Sequence, residues 1–360
     1  MKRITTTPPT LSCLPGLRSR RAFLKSTAAG VAGLMLPCLV AGCTRADGPG
    51  DRYTGLPSSR YLGDVRIETN VVGEQVFTEG PAVDRAGHVF FTNIPVSKIL
   101  KWNPNAKQLT VFRENSHQSN GLLFDPEGNL LACEGEAGRI TRTNRQTGEI
   151  TVLADEFDGL PLEAPNDLVL DAEGRLYFTS RPTPSVPRKG NVNAVYRLDP
   201  DGALHQMLRE PDVHRPNGIV LSPDEETLYL IEADGGEGRN RNISAYDVLP
   251  DGAVTNHRVL VDFYPGRSGD GMCIDAEGNL DVAAGLHNLR GTSETLDTRP
   301  GIHVISPDGE LLAFAETPED TLTNCTFGGE DLRTLYVTCG SLLLSIPTAI
   351  PGKSAYRPNA

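Results

Sequence analysis

Pro165-Asn166-Asp167-Leu168-Val169-Leu170-Asp171-Ala172-Glu173-Gly174-Arg175-Leu176-Tyr177-Phe178-Thr179 is the stretch from which the fold can be read. A polar residue leads into a short apolar strand, a turn of Asp, Glu and Gly reverses the chain, and a second apolar strand follows. The phrase recurs as Glu79-Gly80-Pro81-Ala82-Val83-Asp84, Asn120-Gly121-Leu122-Leu123-Phe124-Asp125 and Asn217-Gly218-Ile219-Val220-Leu221-Ser222. It returns as Asp270-Gly271-Met272-Cys273-Ile274-Asp275 and, worn, as Asn324-Cys325-Thr326-Phe327-Gly328-Gly329. A second strand follows every copy, as in Val89-Phe90-Phe91 and Leu335-Tyr336-Val337. Several short strands repeating every 40–55 residues or so are the mark of propeller blades. The expectation is an all-β chain, a six-bladed β-propeller.

The first strand of a propeller blade lines the central channel. The lead residues Glu79, Asn120, Asn166, Asn217, Asp270 and Asn324 are therefore expected to form a ring at one mouth. Carboxylate and amide oxygens gathered about one axis suit a hard divalent cation, calcium first. Asn or Asp before Gly also starts turns, and for any one copy that reading weighs as much. Two carboxylates among the amides tilt the set toward the cation.

Composition narrows the function. The formal charge is −12, and it becomes −18 without residues 1–42, which hold six basic residues and no acid. Such acidity speaks against a nucleic-acid partner, which needs clustered Lys and Arg. Ser19-Arg20-Arg21-Ala22-Phe23-Leu24-Lys25 has the twin-arginine form of bacterial export signals. An apolar run from Ala28 to Val40 follows, too short for a comfortable membrane span. It ends in Leu39-Val40-Ala41-Gly42-Cys43, similar to a lipobox, so Cys43 is the candidate for lipidation and the only expected link to a membrane. The expected location is the periplasm or cell envelope.

Residues 43–59, rich in Gly, Pro, Asp and Ser, read as a tether. The propeller is expected over 60–350 and a short tail over 351–360. Cys133, Cys273, Cys325 and Cys339 show no C-x-x-C spacing and read as small buried hydrophobes. A Cys325–Cys339 pair across neighbouring strands of the last blade is left open. That blade has only three strands of its own, so the alternating segment Val65–Val71 is expected to complete it and close the ring.

These motifs, in this order and at these spacings, resemble the gluconolactonase, regucalcin (senescence marker protein) and luciferin-regenerating-enzyme family over roughly Val76 to Thr338. They include Glu79-Gly80-Pro81, Pro165-Asn166-Asp167, Arg215-Pro216-Asn217-Gly218 and Asp270 through Asp275. The resemblance implies one divalent metal at the channel mouth, calcium before zinc, manganese or magnesium, held by Glu79, Asn217 and Asp270. It implies lactone hydrolysis, with Asp270 as candidate base and Asn166 near the metal and substrate. One position departs: the regucalcin branch has an arginine two residues before Asn166, and here that place is Ala164. Asn120, Arg181 and His287 are the further substrate-binding candidates, although for Arg181 and His287 the reading as a solvated loop residue outweighs the functional one. His117 is the other histidine worth testing.

The chain has no Gly-x-Ser-x-Gly elbow, His-Glu-x-x-His, phosphate-binding loop or haem attachment sequence. A monomeric lactone or ester hydrolase is therefore the leading expectation. An exported binding propeller without catalysis comes second. A quinone-dependent oxidoreductase propeller is third, since the channel motifs offer acids and amides rather than bases.

Overall fold

Each inner strand starts one or two residues before its lead residue, and those led by Glu79, Asn166 and Asp270 stop at a turn that an aspartate side chain builds. Asp84 Oδ1 accepts the backbone N–H of Ala86 (3.0 Å) and His88 (2.9 Å). Asp171 and Asp275 do the same with Glu173 and Arg175, and with Glu277 and Asn279. These side chains imitate a backbone turn. Gly87, Gly174 and Gly278 close it at φ near +80°, a conformation that costs glycine nothing.

The computed structural model describes residues 51–183 and 188–353; the expected export signal, Cys43 and the last seven residues lie outside the described residues. The inner strands are Thr78–Val83, Ser119–Phe124, Ala164–Leu170, Pro216–Leu221, Gly269–Ile274 and Leu322–Gly328. Each begins a four-stranded antiparallel sheet, and the six sheets are blades 1 to 6. Blade 2 continues through Leu130–Glu134, Arg139–Thr143 and Ile150–Ala154. The fold is the expected six-bladed β-propeller.

Six blades leave six interfaces, and each interface holds its own apolar cluster. Phe90 and Phe124 meet between blades 1 and 2, Leu131 and Phe178 between 2 and 3, and Tyr177 and Ile219 between 3 and 4. Ile231 and Val282 fill the next interface, Ile302 and Val337 the one after, and Phe91 and Leu343 the junction of blades 6 and 1. Neighbouring side chains on a strand point to opposite faces, so Tyr177 packs on blade 4 while Phe178 packs on blade 2. Both faces of a second strand are thus covered. That is why these strands are continuous apolar runs rather than alternating ones.

Blade 6 closes as expected. Arg66–Asn70 pairs antiparallel with Leu342–Ser345 as its outer strand. Glu68 fastens the join by accepting bonds from Ser345 Oγ (2.8 Å) in blade 6 and from Trp102 Nε1 (3.3 Å) and Lys107 Nζ (2.7 Å) in blade 1. The boundaries expected for tether and tail shift. Residues 51–59 pack on the propeller, where the Tyr53 ring lies against His303 and Phe314 and Ser58 Oγ accepts the N–H of Phe314 (3.0 Å). At the other end Lys353 Nζ reaches the Ser222 carbonyl (3.0 Å). The four described cysteines are free. Cys325 lies against Cys273 of blade 5, with 3.4 Å between sulfurs, and Cys339 against the Glu319 carbonyl, so the open Cys325–Cys339 pairing is not made.

Candidate active site at the channel mouth

The ring residues owe their aim to a shared irregularity. All six inner strands break register at or beside the lead residue, between Glu79 and Ala82, Ser119 and Leu122, Pro165 and Leu168, Pro216 and Ile219, Gly269 and Met272, and Leu322 and Asn324. Such bulges re-aim side chains and free backbone groups. The freed carbonyls find threonines: Thr92 Oγ1 donates to the Asn120 carbonyl (3.2 Å), Thr179 Oγ1 to that of Asn217 (2.9 Å) and Thr323 Oγ1 to that of Thr78 (2.8 Å). Each of these bonds crosses from one blade to the next.

The glycine after most lead residues has a packing reason. A Cβ on Gly80 would lie 2.1 Å from the Asn120 carbonyl oxygen, and one on Gly271 would lie 2.1 Å from Asn324 Cγ. Inner strands approach so closely around the axis that a side chain here strikes the neighbouring blade. Asp167 is the charged exception among these second positions.

Glu79, Asn166, Asn217, Asp270 and Asn324 are buried, and Asn120 is half-buried. Glu79, only 3% exposed, takes its own neighbour's N–H, Gly80 N to Oε2 at 3.0 Å. Burial and then the facing Asp270 carboxylate raise its pKa well above the usual range. Asp270 is held on both oxygens: Asn217 Nδ2 donates to Oδ1 (2.6 Å) and Arg267 Nη2 to Oδ2 (2.6 Å). With the Asn217 nitrogen committed to Asp270, the amide oxygen remains for a ligand.

The donor set fits a hard cation. Two buried carboxylates act on each other, Glu79 has no ion-pair partner among the described residues, and the Asn217 amide stands beside Asp270. Among the described residues no three His, Cys, Asp or Glu side chains form a metal-binding group, so the set depends on Asn217.

Asn324 is turned down the channel, where its Nδ2 donates to Asp167 Oδ2 (3.2 Å). Asp167 has its pKa pushed up to about 7, chiefly by burial, with Asp270 adding to it and bonds from Leu168 N and Asn324 opposing. A cavity of about 710 Å³ runs past Asp167, Met272 and Asn324 toward the opposite mouth, near Arg85 and Lys353. Glu79, Asn217 and Asp270 do not line it.

Arg181 ends the second strand of blade 3 in register with Ala164. It is 7% exposed, not a solvated loop residue. Its pKa is pushed down to about 10, first by burial and then by Arg215, with Asp270 and Glu79 opposing. The structure gives His287 a different post. Its Nε2 bonds the Thr317 carbonyl (3.0 Å) and its backbone N–H meets Asp320, which ties a blade 5 loop to the loop entering blade 6. His117 is exposed. Sequence reading missed Arg267 and Asp167. Arg267 stands three residues before Asp270 in an irregular segment that carries no spacing signal, and Asp167 was hidden by the asparagine beside it.

Comparison with known proteins then bears on this geometry. Residues 77–341 match the family model described as SMP-30/Gluconolactonase/LRE-like region. Gluconolactonase of Zymomonas mobilis is 29% identical over 313 residues, covering 79% of this chain and 82% of that protein. A gluconolactonase structure from Xanthomonas campestris superposes with a TM-score of 0.66 at 28% identity, over 81% of this chain and 98% of the other. A structure from Agrobacterium tumefaciens, described as the calcium-binding protein regucalcin, has a TM-score of 0.65 at 20% identity, over 83% and 98%. That last likeness carries the fold.

Proposed function

The chain belongs to the SMP-30/gluconolactonase/LRE-like family, and from that membership we propose that it hydrolyses lactones with one divalent cation held by Glu79, Asn217 and Asp270. The observation that carries the reading is the buried Glu79 carboxyl set against Asp270 at the mouth, beside an amide whose oxygen is left over. Like charges so enclosed repel unless a cation lies between them. Oxygen-only donors favour calcium over zinc.

A cation at those oxygens supplies Lewis-acid polarisation of a carbonyl. The chain supplies the rest. Asp270, fixed by Asn217 and Arg267, accepts the proton of the attacking water. Asn166 and Asn120 offer amides to the substrate's hydroxyls. The acyl C–O bond of the lactone breaks, the proton passes to the departing ring oxygen, and a hydroxy acid leaves.

The test is pH-stat titration of acid release from a lactone panel that includes glucono-δ-lactone. Metal-stripped protein is compared with calcium- and zinc-restored protein and with Asp270→Asn. Cation-dependent turnover that falls by a factor of about 10²–10⁴ in the variant is expected. Cation binding without turnover on any lactone would convert the reading to a binding propeller, and failure to bind a cation would overturn the ring.

A further inference from the structure

The mouth carries more positive charge than a cation-binding ring calls for. Arg215 and Arg267 act on Arg181 there, against Asp270 and Glu79. Arg267 is matched. Its Nη2 holds Asp270, and its Nη1 donates to the carbonyls of Gly285 (3.4 Å) and Leu322 (3.3 Å). Arg181 is not matched. Its Nε is enclosed without a hydrogen-bond partner, and among the described residues no carboxylate lies within ion-pair distance of it or of Arg215.

A buried guanidinium nitrogen lacking its bond is costly. The backbone explains why it is there. Ala164 is the residue directly across the strand pair, and its methyl group leaves room for a long side chain that a larger neighbour would displace. The guanidinium fork pairs with a planar carboxylate through two parallel bonds. Glu79 and Asp270 are the counter-charges that act on it, and both belong to the cation ring.

We propose that Arg181, backed by Arg215, is an anion subsite, and that the preferred substrate is a lactone bearing a carboxylate. This substrate class rests on the lactonase reading; the subsite itself does not. Arg181 is a specificity-determining residue rather than a catalytic one. A phosphate-bearing lactone shares the anionic chemistry and can also meet the fork with two oxygens, so it forms a separate arm of the test.

The experiment uses the full chain loaded with calcium and three lactones of one ring type, ending in a carboxylate, a hydroxymethyl or a phosphate. The carboxylate substrate is expected to exceed the hydroxymethyl one in kcat/KM by about 10–100-fold, the range of charge-assisted hydrogen bonds. In Arg181→Met that ratio falls toward one through KM, and Arg181→Lys restores part of it; thermal melts of both variants establish that they fold. Equal treatment of charged and neutral lactones, or an equal loss on both in Arg181→Met, overturns the subsite. A phosphate preference overturns the carboxylate assignment.

Calorimetric binding of the open-chain dicarboxylate sugar acid separates the two claims. If no lactone turns over but this dianion binds in an Arg181-dependent way, the subsite stands and the lactonase reading falls. If lactones turn over without charge preference and the dianion does not bind, the subsite falls alone.

Discussion

Asp167 stands where blades 1, 2, 4 and 5 carry glycine, and it makes the channel pH-sensitive. Its carboxyl titrates at about 7 in the fold, because burial outweighs the bonds from Leu168 and Asn324, against 3.8 when exposed. Between those values the folded chain holds a proton that the unfolded chain has released. The resulting stability is complete below about pH 4 and is lost as pH rises through 7. The wild type should therefore lose stability relative to Asp167→Asn across that window, by up to roughly 1.4 kcal/mol per pH unit. Comparison with the variant cancels His303, which burial pushes down to about 3 and which acts in the opposite sense below pH 6.5. Chemical denaturation of both proteins from pH 4 to 8 measures the difference, and parallel curves would sink the assignment. The sequence showed this aspartate but not its burial, since Asn-Asp before a strand reads as a turn starter until the neighbouring blade encloses it.

At the scale of the strand, the Asn-Gly or Asp-Gly pair is a bulge followed by a close approach, not a turn. Gly271→Ala places a methyl group against the Asn324 side chain and is expected to cost about 1–3 kcal/mol by overpacking. It should also weaken cation binding, because Asp270 must shift with its neighbour. Gly73→Ala is the control: its new Cβ would find Val76 at an ordinary 3.6 Å. Denaturant midpoints and calcium titrations of the two variants should diverge, and matched midpoints would remove the packing explanation. The lead residues were legible because propeller topology sends equivalent positions to one ring. The clamps between blades were not. Glu134, fully buried, takes Arg139 Nε (2.7 Å) and Thr141 Oγ1 (2.8 Å) from its own blade and Arg113 from blade 1. Glu232 holds the backbone of His214 and Arg215 in the loop before its blade. Such partners are set by how blades dock, and a linear pattern of apolar and polar residues carries no record of that.

For the whole molecule, the ring is only as strong as its seam. Blade count was readable from the repeat, and the shortage of one strand in the last blade pointed to Val65–Val71. The packing of residues 51–59 was not readable, because Gly, Pro and Ser give no periodicity, and the contact rests on Tyr53 packing against the paired rings of His303 and Phe314. The seam strand itself is exposed along much of its length, so its pairing with Leu342–Ser345 draws little from burial. Glu68 supplies what burial does not, by joining Ser345 of blade 6 to Trp102 and Lys107 of blade 1. Lys107 is largely exposed and adds little; the bonds to Ser345 and Trp102 carry the effect. Glu68→Ala is expected to cost about 1–3 kcal/mol. It should also raise amide hydrogen exchange selectively in Arg66–Asn70 and Leu342–Pro347, because an opened seam frays before the blades separate. Uniform exchange across all six blades, or an unchanged unfolding midpoint, would mean that the apolar cluster of Phe91, Tyr336 and Leu343 closes the ring without the carboxylate.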